Sequence, residues 1–157
     1  AFNGASFFTA SDSAPSALPS GSNPRTMCLW YNLTAVTGNT VIQYGAGAAG
    51  NAFGPGVYPA FHEAYTYSYS VYANVVPTTN VWRHVCIVGT GTDLLVYING
   101  ALVAQGFSPS TNTVLSSLAV GKSNFQADFI TGSLDEVRIY NRTRRAIDVA
   151  AVYTAGQ

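Results

Sequence analysis

Trp82-Arg-His-Val-Cys-Ile-Val-Gly-Thr-Gly-Thr-Asp-Leu-Leu-Val-Tyr-Ile-Asn-Gly-Ala-Leu-Val-Ala-Gln105 decides the fold class. Asn99-Gly100 sits between two apolar runs, Leu94–Ile98 and Ala101–Gln105, and this is the strongest short-range signal for a two-residue hairpin turn. Gly89–Asp93 makes a second turn, so Val81–Val88 is a third consecutive strand. Outward from this meander, short apolar runs alternate with Gly, Pro and Asn turns: Ala1–Ala10, Thr26–Leu33, Val41–Tyr44, Val57–Val76, Val114–Val120 and Gly132–Tyr140. Residues 11–24 and the glycine-rich stretch Gly45–Gly56 are expected to be loops. Only Thr143–Tyr153 reads as helix, with Thr143 as its cap and Arg144 and Arg145 opposing the dipole in its first turn. Many short strands with frequent turns predict an all-β, antiparallel two-sheet jelly-roll sandwich with one short C-terminal helix.

Composition narrows the partners. The chain has 157 residues, 7 Lys+Arg against 7 Asp+Glu, and only 9% charged residues, so no bulk field draws it to nucleic acid. With 48% apolar and 13% aromatic residues it can fill a core, which excludes a disordered chain. No charge falls between Arg25 and Glu63, yet polar residues interrupt every apolar run short of a membrane-spanning length. Nine of the fourteen charges lie after residue 121, leaving a strand-rich body covered by hydroxyls and amides. Such a surface suits uncharged polar ligands or copies of itself.

The meander and Gly132-Ser-Leu-Asp-Glu-Val-Arg-Ile-Tyr-Asn-Arg142, followed by a helix and Tyr153-Thr-Ala-Gly156, resemble laminin G-like, concanavalin A-like jelly-roll domains. Phe2-Asn-Gly4 and Cys28-Leu-Trp30 are similar to that family's opening residues and Trp-bearing strand. The resemblance spans 1–157 as a single domain and implies two packed antiparallel sheets. It departs from the family at Asn3, where an acid is common, and at Arg144 and Arg145. A further N-terminal strand found in many relatives has no counterpart before Phe2, so a sheet edge is either open or covered by another segment.

Candidate chemistry is sparse. Glycoside hydrolases of this architecture need two carboxylates on one strand face. Asp135 and Glu136 are adjacent, so alternation sends them to opposite faces, and Glu136 is set to pair with Arg138. His62 and His84 lie in no nucleophile signature, and His84 reads as a core residue sharing a face with Trp82 and Cys86. Catalysis is therefore not expected, and no cofactor is. Calcium is not favoured: the acids are too scattered, with Asp128 beside Asn124 the position to check and Asp12 with Asn3 next. Cys28 and Cys86 fit a disulfide in an oxidising compartment better than two buried thiols. Two sequons, at Asn32 and Asn141, are acceptors if the source glycosylates. The start at Ala1 rather than Met reads either as a removed leader or as an excerpt, and the composition with the disulfide predicts a secreted or cell-surface protein.

Tyr65, Tyr67 and Tyr69 alternate with Thr66, Ser68 and Ser70. Either the tyrosines are core with hydroxyls facing water, or they form a platform for stacking sugars or subunits, with Phe53 and Tyr58 beside them. The expectation is a non-catalytic extracellular recognition module for glycans or adhesion. The alternative is a structural subunit of a filament or coat. Arg138, Arg142, Arg144 and Arg145 form the one cationic group, read by default as a solvated face.

Overall fold

The computed structural model describes residues 1–10, 17–108, 111–125 and 128–157, so Asp12 lies outside the described residues. Among the described residues thirteen strands form two antiparallel sheets. The first sheet contains β1 (Phe2–Asn3), β3 (Arg25–Ala35), β9 (Arg83–Gly89), β10 (Asp93–Ile98), β11 (Ala101–Phe107) and β13 (Thr131–Tyr140). Its order is β1-β13-β3-β9-β10-β11. The second contains β2 (Phe8–Ala10), β4 (Asn39–Thr40), β5 (Ile42–Gly45), β6 (Ala52–Tyr58), β7 (Phe61–Tyr65), β8 (Val71–Ala73) and β12 (Leu118–Val120). Its order is β2-β12-β5-β6-β7-β8, with β4 beside β6. This is the expected sandwich.

Alternation along β3 shows how the layers form. Met27, Leu29, Tyr31 and Leu33 enter the core between the sheets, where Ile42, Tyr44, Phe53, Val57 and Ala64 meet them from the other side. Cys28 and Trp30 face outward instead. Asn99 (φ 49°) and Gly100 (φ 78°) build the predicted tight hairpin between β10 and β11.

Several predicted boundaries move, each for a physical reason. β6 runs straight through the stretch expected as a loop, because Gly54 and Gly56 serve close approach rather than a turn. A Cβ at 54 would collide with the Ile42 carbonyl, and one at 56 with the Glu63 side chain. Strand structure at the end of β7 stops at Tyr65, since Tyr67 (φ 55°) and Ser68 (φ 81°) turn the chain through left-handed backbone. The predicted strand Val114–Val120 shortens to β12. The helix α1 spans Ala146–Ala155 and is capped at Arg145, not Thr143. Thr26 Oγ1 donates to the Arg142 carbonyl and accepts from the Arg144 amide, holding that segment non-helical. Asp148, three residues into the helix, accepts from the Arg145 amide and pairs with its guanidinium, which offsets the misplaced charge.

Three buried polar devices fasten the sandwich. Cys28 and Cys86 are directly opposite on β3 and β9 and form a disulfide beneath α1. Arg25 is 1% exposed and has no carboxylate partner among the described residues; it donates to the carbonyls of Pro19, Ser20, Gly21 and Asn23. His62 on β7 joins the two sheets: its Nδ1 donates to the Val75 carbonyl at 2.7 Å, and its Nε2 accepts from Tyr31 Oη at 2.5 Å. Burial, with Arg83 nearby, lowers the His62 pKa to about 4, and burial lowers His84 likewise.

Two outcomes are expected. The cross-link closes a separation of 58 residues, so replacing both cysteines by Ala removes about 4 kcal/mol of stability in a urea titration. Both histidines stay neutral in the folded state while the unfolded chain takes up protons from its ordinary value near 6.5. Stability therefore falls as pH drops from 6.5 through 4, and His62→Gln flattens that dependence in denaturant midpoints.

Candidate functional site

The outer face of the second sheet collects the aromatic residues. β7 sends His62 and Ala64 inward, so Phe61, Glu63 and Tyr65 face out. Register places Glu63 between Tyr72 on β8 and Gly56 on β6, and Tyr65 opposite Gly54. The two glycines make a floor without side chains. Around it, Tyr58 stacks on Phe61 at 4.9 Å and Phe61 meets the edge of Tyr72 at 5.1 Å. Tyr65 meets Tyr67 at 6.2 Å, and Tyr67 meets Phe125 at 5.6 Å. Phe125 in turn rests on Gly47.

The predicted residues fare differently. Tyr58, Tyr65 and Tyr67 are brought together, although by a strand and a turn rather than along one strand face. Tyr69 lies in that turn, half-exposed, with its carbonyl accepting from Thr66 and Ser108. Phe53 is a correction: alternation on β6 buries it completely, against Tyr44 and the Arg25 guanidinium. Phe61 and Tyr72 were missed, though the alternation that places Tyr65 outward also places Phe61. Phe125 carried no sequence signal, since its loop reaches the face only through the fold.

Beneath the rim lie two polar side chains. Gln43 is fully buried; its Oε1 accepts from the Asn124 amide at 3.0 Å and from Ser123 Oγ at 3.3 Å. Glu63 is 3% exposed. Gln43 Nε2 and Glu63 Oε1 make no close hydrogen bond among the described residues, although the Gln43 amide lies near enough to the Tyr65 hydroxyl to oppose the rise in its pKa. Burial pushes the Glu63 carboxyl above its ordinary value, opposed by the hydroxyls of Tyr58 and Ser70. Burial and the nearby Glu63 carboxylate push Tyr65 up to about 12. Burial raises Tyr58 too, with Glu63 next and Asp128 a smaller cause, so Asp128 stands near this face. A buried donor and a buried acceptor thus lie under a ring of aromatic edges, both closed off from solvent by the side chains above them.

The other residues singled out in the sequence are placed elsewhere. Cys28, His84 and Cys86 lie within metal-ligand distance of one another, but the two sulfurs are joined to each other. Asp135 and Glu136 do not point to opposite faces: a bulge between Asp135 and Arg138 puts Glu136 in left-handed backbone (φ 51°), and both acids line one depression. Glu136 pairs with Arg138 as expected. Arg144 lies over the Tyr140 ring at 4.0 Å, so three of the four clustered arginines have a partner. Asn32 stands mid-strand on β3 opposite Ser133, while Asn141 is exposed just after β13.

Comparison with known proteins agrees with this architecture. The family described as the concanavalin A-like lectin/glucanases superfamily matches residues 3–150. Among solved structures, domain 4 of AbnA, an extracellular GH43 arabinanase from Geobacillus stearothermophilus in complex with arabinotriose, superposes with a TM-score of 0.74. It shares 22% identity, covering 96% of this chain and 74% of that one. A heptameric SAP-like pentraxin from Limulus polyphemus gives 0.67 at 12% identity, covering 98% and 84%. The binding domain of botulinum neurotoxin DC in complex with SialylT gives 0.62 at 12% identity, covering 87% of this chain but 36% of that one. Among curated proteins no sequence matches. The arabinanase domain is in complex with arabinotriose and the neurotoxin domain with SialylT, and at such identities the likeness is one of fold.

Protonation of Glu63 is favoured in the folded state, so the unfolded chain releases this proton first as pH rises. Wild-type stability should therefore decline relative to Glu63→Gln as pH rises above about 4.5, the unfolded carboxyl's ordinary value. Urea midpoints of the two proteins that stay parallel over this range would refute the buried carboxyl.

Proposed function

The chain belongs to the concanavalin A-like lectin/glucanase superfamily, and from there we propose that its aromatic face binds an uncharged glycan without cleaving it. The observation that carries this reading is the unspent pair, Gln43 Nε2 and Glu63 Oε1, below the aromatic rim. A sugar ring matches both parts, since its C–H face rests on flat aromatic surface while its hydroxyls donate and accept at once. The scarcity of charge fits the same ligand, because a neutral polyol gains nothing from a field. Glu63 is braced by Tyr58 and Ser70 and shielded from solvent, which suits a fixed hydrogen-bonding group better than an acid that must reach a glycosidic oxygen. The glycan-bound neighbours support the class of ligand, and the extracellular arabinanase supports an extracellular setting. Adhesion through surface glycans is the corresponding role.

A second reading, assembly with copies of itself, is favoured by one observation. The edge strand β11 exposes Leu102, Val103 and Phe107. Light scattering over a wide concentration range separates the two, because a constant monomer removes assembly.

Titration with neutral oligosaccharides (arabino-, xylo- and gluco-oligomers) followed by calorimetry should show saturable binding with no hydrolysis products. Tyr65→Ala should weaken it at least tenfold with unchanged circular dichroism. Binding that survives both Tyr65→Ala and Tyr67→Ala would place the ligand elsewhere, and released sugar would make the domain an enzyme.

A further inference from the structure

The opposite sheet carries a separate depression of about 460 Å³, lined by Trp30, Trp82, Asp135, Glu136, Gly156 and Gln157. Its volume lies within the range of small-molecule sites. Each wall has its own local cause. Trp30 faces out from β3 and is fixed by Tyr153, stacked at 5.4 Å, and by His84 at 5.4 Å. Trp82 precedes β9 and is 44% exposed. On β13, Asp135 is opposite Trp30 and Arg138 opposite Cys28, so Glu136 and Val137 together face one residue of β3. That extra residue rotates Glu136 and lets consecutive carboxylates open on one mouth. The Asp135 carboxylate accepts from the Glu136 amide at 2.8 Å, which holds the bulge.

The electrostatics select the ligand. Arg138 balances Glu136, while Asp135 has no ion-pair partner among the described residues. His84 behind Trp30 adds no positive charge near neutrality, being held uncharged by burial and by Arg138. The charged groups at the mouth are hydrogen-bond acceptors only. Indole N–H of Trp30 is closed off by Gly156, where any side chain would collide with Nε1. A cation needs only negative charge and aromatic faces, whose quadrupoles attract it, and this mouth holds both.

We propose that this depression is a binding site for a small organic cation of the alkylammonium type, held by the two indole faces and by Asp135. It lies on the other sheet from the aromatic glycan face and does not depend on glycan binding.

Choline and its uncharged isostere 3,3-dimethylbutan-1-ol test the site on the intact chain. Tryptophan fluorescence and indole N–H chemical shifts are the readouts. Choline should bind at least tenfold tighter than the alcohol and shift the Trp30 and Trp82 resonances. Asp135→Asn, which keeps size and the acceptor to the Glu136 amide, should weaken choline severalfold, and Trp82→Ala at least tenfold. Equal binding of choline and the alcohol, choline affinity unchanged in both variants, or indole shifts produced by neutral oligosaccharides instead would each overturn the proposal.

Discussion

The hydrogen-bond chain from Tyr31 through His62 to the Val75 carbonyl governs the side of the molecule on which recognition takes place. A one-residue slip of β7 would exchange its two faces. His62 prevents the slip because only one register gives its two nitrogens an acceptor and a donor inside the core. An unpaired buried imidazole would cost several times what either hydrogen bond returns. With His62 directed inward, Phe61, Glu63 and Tyr65 must face out, and the aromatic rim follows.

The chain solves its shortage of charge by using neutral partners. Arg25 is buried yet met by four backbone carbonyls and the Tyr44 hydroxyl rather than by an acid. The guanidinium spreads its charge over five donors, so carbonyl dipoles can replace a counter-ion. That cage orders the turn before β3 and ties it to β5 through Tyr44. Glu63 is the counterpart, a buried acid held among hydroxyls. Both ionisable groups are surrounded by dipoles, which leaves the sheet surface uncharged and free to contact neutral matter.

Much of the fold was legible because local chemistry and long-range packing agree there. Asn99-Gly100 demands left-handed backbone at both turn positions, and the flanking apolar runs can only pair across it. Cys28 and Cys86 lie in strands whose neighbours are apolar, and those strands prove adjacent. Reading failed where a residue serves a neighbour rather than its own strand. Gly54, Pro55 and Gly56 are poor strand formers, so β6 read as loop, yet the missing side chains of Gly54 and Gly56 are what admit β5, Glu63 and Tyr58. The tyrosine alternation was real as a pattern and wrong as a strand, since nothing local announces left-handed backbone at Tyr67 and Ser68. Phe125 arrives from 60 residues beyond Tyr65 in the sequence, a distance over which periodicity carries no information.

Both candidate sites arise where the period of two is broken. On one sheet, glycines at 54 and 56 remove side chains from alternate outward positions, and the neighbouring strands supply the walls. On the other, one inserted residue in β13 turns two adjacent acids toward the same opening. An unbroken pair of sheets would present flat rows of side chains with no concavity and no convergence of polar groups. The two faults also differ in what they collect: a missing side chain gathers aromatic edges and leaves a donor and an acceptor unspent, whereas an extra residue concentrates negative charge beside two indoles. The difference in defect is therefore the reason that one face should prefer a neutral polyol and the other a cation.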